Sequence, residues 1–184
     1  MQRFLRGLGV TIIVVVLAAC GNQTPAHTDT HSMDHDMAAT SDKPYDLLFL
    51  DSMVAHHQGA ITMAQDALAK AEHSELKEFA QNIIMQQDGE ITQMNVWRAK
   101  WYPDAPPTDG LGMHMGDMQV STDESISYDI RWIDAMISHH QGAIDMANDA
   151  LKKSQNTDII NLCNAIIQAQ SEEIAKLNTW RAQW

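Results

Sequence analysis

Apolar residues recur every three to four positions over residues 45–68, which is the spacing of one face of an amphipathic α-helix. A second stretch with the same spacing covers residues 76–97. The polar segment 70–74 between them predicts a break, with Ser74 as the N-cap of the second helix. Because proline cannot continue a helix, the second helix should end just before Pro103. These patterns predict a helical hairpin.

The hairpin is then repeated. Residues 128–184 reproduce residues 45–101 at a constant offset of 83, with 26 of 57 aligned positions identical and no insertion. The linker 102–121 is rich in proline and glycine, which predicts irregular structure, and Ser121–Glu124 resembles a capping box that starts the third helix. We therefore predict an all-α fold, a ferritin-like four-helix bundle built from two duplicated helical hairpins joined by a long crossover linker.

The repeated string carries unusual side chains. In each copy, two adjacent histidines and two methionines fall within about 120° of one helix face, the width of a buried stripe. Imidazole and thioether groups are ligands that suit copper. The candidate metal ligands in the two helices are Met53, His56, His57, Met63, Met136, His139, His140 and Met146.

Polar residues of the second and fourth helices should meet these histidines at one level of the bundle. Gln87 and Glu90, and their copies Gln170 and Glu173, lie near the middle of their helices and form a candidate second shell. Two interpretations stay open. The glutamates could accept hydrogen bonds from histidine N–H groups in a purely structural network, or the histidines could bind a metal that displaces protons.

Several residues on the same faces have simpler interpretations. Met85 and Met94 lack methionine counterparts in the second copy and are predicted to fill the core. The tryptophan pairs near 97–101 and 180–184 are predicted to close the two ends of the bundle. Cys163 replaces an alanine of the first copy and is predicted to be a small buried residue.

The N-terminal region predicts export. Two arginines precede a short apolar run that ends in a lipobox-like Leu-Ala-Ala-Cys-Gly, so residues 1–19 are predicted to be a lipoprotein signal peptide and Cys20 the lipidated first residue. Residues 20–41 lack apolar periodicity and are predicted to be a disordered tether. The bundle then occupies residues 42–184, with repeats at 44–101 and 127–184. The expected location is extracytoplasmic, with the protein attached to the cell envelope through its lipid.

The composition indicates which classes of partner the protein can bind. The formal net charge of −12 disfavours nucleic acid and favours cations. The tether and the linker are rich in histidine and methionine although they have no core to fill, which predicts that they collect metal ions. These further candidate ligands are His27, His31, Met33, His35 and Met37 in the tether, and Met113, His114, Met115 and Met118 in the linker.

The Met-x-x-His-His-Gln-Gly-Ala-Ile-x-Met-Ala repeat, followed by Gln-x-x-Glu-Ile and Trp-Arg, resembles the bacterial domain-of-unknown-function family number three hundred and five. The resemblance covers about 44–184. It implies a ferritin-like fold and a secreted or surface-anchored copper binder, because the family includes periplasmic copper-binding proteins of the CopM type. The implied cofactor is a copper ion, Cu(I) or Cu(II), with silver as a second candidate, and a copper efflux or chaperone protein is a candidate partner.

Our interpretation is a non-enzymatic protein that sequesters or transfers copper in metal tolerance. Two other functions compete with this interpretation. A di-iron oxidase of the ferritin type needs more central carboxylates than Glu90 and Glu173, and the sequence has no Glu-x-x-His motif. An envelope interaction or stress module with a structural His/Gln/Glu core is the other alternative.

Overall fold

A computed structural model of the chain describes residues 43–113 and 119–184. All regular secondary structure in these two ranges is helical. The four helices are α1 (Tyr45–Lys70), α2 (Ser74–Trp101), α3 (Tyr128–Lys153) and α4 (Thr157–Gln183). Within the same ranges, none of them combines the length and apolar character needed to span a bilayer.

The start of α2 differs from the prediction. Ser74 is the first helical residue, and the N-cap is His73, whose side chain makes no capping bond. The carboxylate of Asp129 takes over this role from α3, since it accepts the backbone N–H groups of Glu72 and His73 at 3.0 and 2.9 Å. Asp129 is almost fully buried, and a tertiary contact therefore replaces the local cap.

The predicted capping box at Ser121–Glu124 is also wrong. The carboxylate of Asp123 accepts hydrogen bonds from the backbone and hydroxyl of Ser125, which forms a turn before the helix. Helix α3 begins only at Tyr128, where the hydroxyl of Ser127 accepts the N–H of Ile130. The local hydrogen bonds of Asp123 thus compete successfully with capping.

Two equivalent tyrosines establish the topology. Tyr45, at the start of α1, donates a hydrogen bond to Asp149 near the end of α3, and Tyr128, at the start of α3, donates to Asp66 near the end of α1, both at 2.8 Å. Helices α1 and α3 are therefore antiparallel neighbours, and α2 runs parallel to α3. The linker must cross the length of the bundle, which confirms the predicted one-crossover, ferritin-like four-helix bundle.

The core consists of two apolar clusters, each with members from all four helices. The Trp132 cluster joins the C-terminal half of α1 to the N-terminal half of α3 and includes Met63, Met136 and Leu177. The Phe49 cluster joins the opposite halves and includes Met53 and Met146. The tryptophan pair of α2 packs on the Phe49 cluster and that of α4 on the Trp132 cluster, as predicted.

Burial tests the other core predictions. Met94 and Cys163 are fully buried in the Phe49 cluster, which confirms both as core residues. Met85 was predicted to fill the core, but 59 % of it is exposed. Its position on α2 faces away from the other helices, so the polar Gln168 can replace it in the second copy.

Candidate metal centre

A polar layer lies between the two apolar clusters. We use this name for His56, His57, Gln87, Glu90, His139, His140, Gln170 and Glu173. The four imidazoles have no exposed surface and the two amides are 2 % exposed, while the glutamate side chains keep 17 % and 16 % exposure. The structure therefore brings all eight predicted residues into one layer of the bundle, with Gln87 and Gln170 about one turn to either side of the glutamates, because α1 and α3 pair antiparallel through the midpoints of equivalent helices.

Each glutamate contacts a histidine of its own hairpin. His57 Nε2 donates a hydrogen bond to Glu90 Oε2 at 2.6 Å. His140 Nε2 lies 2.9 Å from Glu173 Oε2, within ion-pair distance, but the ring is not oriented for a hydrogen bond. The predicted contacts between glutamate and histidine are thus present in both copies, with different geometry.

The other two histidines meet across the pseudo-twofold axis. The ring centroids of His56 on α1 and His139 on α3 are 3.8 Å apart, with the ring planes tilted by 46°. Burial, and then the neighbouring histidines, lower the pKa of His139 from 6.5 to about 2. The ring is therefore neutral at pH 7, which is the form that binds metal ions.

Several polar atoms of the layer have no hydrogen-bond partner on the protein. They include Nδ1 of His57 and His140 and the amide oxygens of Gln87 and Gln170. A buried polar atom without a partner costs about 1–3 kcal/mol, and native proteins contain few of them. These nitrogen and oxygen atoms are therefore free of hydrogen bonds within the protein and are candidate ligands for a metal ion.

The four repeated methionines are separated into two pairs. Met53 and Met146 lie in the Phe49 cluster, whereas Met63 and Met136 lie in the Trp132 cluster. The antiparallel pairing of α1 and α3 causes this, since each side of the layer receives one methionine from each copy. In the described part of the chain, no group of three or more His, Cys, Asp or Glu side chains is arranged as a ready-made metal site.

One linker candidate lies in the described residues. Met113 is half-buried and packs against the Phe49 cluster. The other candidates in the tether and linker, and the predicted lipidation site, lie outside the described residues; they are Cys20, His27, His31, Met33, His35, Met37, His114, Met115 and Met118.

Sequence reasoning missed two polar contacts beside the layer. Thr108 of the linker donates to Asp51 of α1 through both its backbone N–H and its hydroxyl, and Leu111 N–H donates to Ser52. These contacts hold the crossover against α1. The aspartate is repeated as Asp134, which was a usable signal, but nothing in the sequence identified its partner.

The fold and the layer define a class of protein: an exclusively helical bundle made from two copies of a hairpin that buries adjacent histidines. The chain belongs to the DUF305 family, a domain of unknown function, whose model matches residues 18–98 and again residues 100–184. No curated protein sequence matches significantly.

Several solved structures of CopM, determined with different bound metal ions, are similar to the chain. CopM in the Cu(I)-bound form is 37 % identical, and the match covers 77 % of this chain and 99 % of CopM with a TM-score of 0.66. The Cu(II)-bound form gives 37 % identity, coverage of 76 % and 98 %, and a TM-score of 0.64. The silver-bound form obtained by soaking gives 34 % identity, coverage of 77 % and 98 %, and a TM-score of 0.65.

Proposed function

We propose that this protein binds copper, and silver as a chemical analogue, and that it sequesters or transfers the ion outside the cytoplasm without catalysing a reaction. The observation that carries the proposal is the polar layer, in which four buried imidazoles, with the Nδ1 atoms of His57 and His140 unpaired, lie between two pairs of methionines. The likeness to CopM, which has been solved with both metals, supports it.

The chemistry of the layer matches such an ion. Imidazole nitrogen accepts Cu(I) and Cu(II), while thioether sulfur prefers Cu(I) and Ag(I). In this proposal the ligands are drawn from Met53, His56, His57, Met63, Met136, His139, His140 and Met146. Glu90 and Glu173 orient His57 and His140 from the second shell, as carboxylates commonly do for metal-bound histidines.

The proposal also includes the segments outside the bundle. A chain lipidated at Cys20 would hold the bundle near a membrane surface, and the histidines and methionines of the tether and linker would gather ions there. The high negative charge favours the approach of cations. A copper efflux or chaperone protein is the expected recipient of the ion.

In the competing proposal, the polar layer is purely structural and binds no metal. The hydrogen bond between His57 and Glu90 favours it, because that pair needs no metal to be satisfied. In that case the protein would serve as an envelope interaction module, and replacement of the histidines would leave its function unchanged.

Titration with Cu(I) against a competing chromophoric chelator tests the proposal. We expect the chain from residue 20 onward to bind Cu(I), the variant lacking residues 21–41 to lose only part of the capacity, and a His56→Leu/His139→Leu variant to lose the bundle site. Since replacing both partners of a buried polar pair by apolar groups is often nearly neutral for stability, this variant should fold, which circular dichroism checks.

His73→Asn is the matched control, because His73 lies outside the layer and the second copy has Asn156 at this position. This variant should bind Cu(I) like the wild type. Equal binding by the double variant and the wild type, both lacking the tether, would refute a metal site that uses His56 and His139.

A further inference from the structure

The two sides of the polar layer are not chemically equivalent. The duplication relates Met94 to Leu177 and Cys163 to Ala80. Both departures from symmetry fall on the same side. The Phe49 cluster therefore contains four fully buried sulfur side chains, whereas the Trp132 cluster contains only Met63 and Met136.

The helix register places two of these sulfurs about one turn from the layer and a third about two turns from it. Met53 lies about one helical turn before the histidines of α1, and Met94 lies about one turn beyond Glu90, whose carboxylate contacts His57. Because α1 and α2 are antiparallel, both residues lie on the same side of the layer, about 5–6 Å from it along the bundle axis. Met146 lies about two turns from His139 on that same side.

An unpaired polar group lies at the same level. Gln170 precedes Glu173 by about one turn of α4, toward the Phe49 cluster. Its side chain is 2 % exposed, and its amide oxygen has no hydrogen-bond partner on the protein. On the opposite side, the corresponding level contains Gln87, whose amide oxygen is also unpaired, together with Met136 and Leu177. The two sides therefore differ at this level in the sulfur of Met94, which Leu177 lacks.

The chemistry of this donor set selects a soft monovalent ion. The three thioethers of the Phe49 cluster are neutral and offset less of an ion's charge than carboxylates would, which favours a monovalent over a divalent ion among them, because burial of an uncompensated charge is costly. Thioether sulfur also prefers Cu(I) and Ag(I) over Zn(II).

We propose that Cu(I) or Ag(I) binds on the Phe49-cluster side of the polar layer, with Met53, Met94 and Met146 as thioether ligands, and that the other side is not an equivalent site. This inference rests on the proposed function and narrows it to one half of the bundle. Met94, which the sequence indicates only as core filler, becomes a ligand that determines metal specificity.

Cys163 is not one of the ligands. It lies about three helical turns before Glu173 on α4, farther from the polar layer than any of the three methionines. Replacement of Cys163 by alanine, the residue of the first copy, therefore provides a control in the same cluster.

The test exchanges the residues that break the symmetry. Met94→Leu should weaken Cu(I) and Ag(I) binding at least tenfold in competition with a chelator, and X-ray absorption at the copper edge should count fewer sulfur neighbours. Binding of Zn(II) should not change, because loss of a thioether affects only soft ions. Leu177→Met should add sulfur on the other side and restore binding in the Met94→Leu background.

Volume-conserving Met→Leu exchanges cost less than about 1.5 kcal/mol in a core, so these variants should remain folded. Cys163→Ala and Met85→Gln should bind Cu(I) like the wild type. The inference is overturned if Met94→Leu binds Cu(I) normally, if it weakens Cu(I) and Zn(II) equally, or if Cys163→Ala is the variant that loses affinity. A wild type that binds no Cu(I) at all refutes the proposed function itself, which is a different result.

Discussion

The same aspartate occupies two different environments in the two copies. Asp51 pairs with Arg98, and its side chain is only 13 % exposed because Thr108 of the linker covers it. Asp134 pairs with Arg181 in the same way, but among the described residues no linker group donates to it, and its side chain is 43 % exposed. Ion pairs at the surface contribute little to stability, whereas a covered pair with further hydrogen bonds contributes more.

We predict that Asp51→Asn lowers the free energy of unfolding by about 1–3 kcal/mol, because Arg98 and Thr108 lose a charged acceptor. Asp134→Asn should have a clearly smaller effect. Urea denaturation of both variants measures the difference, and equal losses would contradict a stabilising role for the linker contact.

The same carboxylate predicts a pH dependence. Burial alone would raise the pKa of Asp51, but hydrogen bonds from Arg98 and Thr108 outweigh it and hold the pKa below 3.8. The unfolded chain therefore takes up the proton first as the pH falls. The stabilisation is complete above about pH 4 and disappears as the pH falls through the lower, folded-state pKa. Asp51→Asn should remove this part of the acid dependence. Measuring the free energy of unfolding between about pH 2 and 5, a range around the ordinary carboxyl pKa, tests this.

A third prediction for single residues concerns Glu90. Glu90→Ala removes the acceptor of the His57 hydrogen bond and should cost about 1–3 kcal/mol, because a buried ring N–H loses its partner. Glu172→Ala is the control, since its side chain only contacts the exposed Gln168 one turn earlier. Chemical denaturation compares them, and similar losses would mean that the layer does not depend on its glutamates.

The conformation of the linker depends on two glycines with positive φ angles. Gly110 has φ of +72°, and a Cβ atom there would overlap the hydroxyl of Ser52, which accepts the N–H of Leu111. Gly112 has a similar φ of +64°, but a Cβ atom there would meet nothing within 4 Å. A comparison of substitutions at Gly110 and Gly112 therefore separates the energetic cost of the left-handed conformation, present at both, from that of the close approach to Ser52, present only at Gly110.

We therefore predict that Gly110→Ala destabilises the protein more than Gly112→Ala. The strain of the left-handed conformation should cost about 1 kcal/mol in both variants, and only Gly110→Ala also displaces Ser52. Thermal denaturation gives the comparison, with hydrogen exchange at Leu111 as a local readout. An equal effect would show that the linker moves away from α1 at no cost.

Helix periodicity predicted the elements well, and it predicted their ends less well. The bounds of α1 and α2 followed from apolar spacing and Pro103, because these signals are local. The N-caps at Ser74 and Ser121 were wrong because distant or competing groups decided them: Asp129 from α3 in one case, and the turn formed by Asp123 in the other.

For the whole molecule, the sequence predicted that the polar layer would assemble, but it did not predict which methionines would share a side. Equal depth along each helix follows from the repeat itself. The pairing of Met53 with Met146 depends on the antiparallel contact of α1 and α3, which is a tertiary fact. The sulfur asymmetry around Met94 becomes visible only after that pairing is known.

Metal binding inside the core must stabilise the whole fold, because the layer exists only when all four helices are assembled. A ligand at about 100 times its dissociation constant adds about 2.7 kcal/mol to the free energy of unfolding, and about 1 kcal/mol raises the melting temperature of a domain of this size by roughly 2–4 °C. We therefore predict that Cu(I) raises the melting temperature of the chain lacking residues 21–41 by about 5–10 °C, as measured by calorimetry under reducing conditions. The His56→Leu/His139→Leu variant should show a clearly smaller rise, because only two of its four imidazole ligands remain. A chain that takes up copper with no rise in its midpoint would bind the ion outside the cooperative fold, and the tether would then account for the uptake.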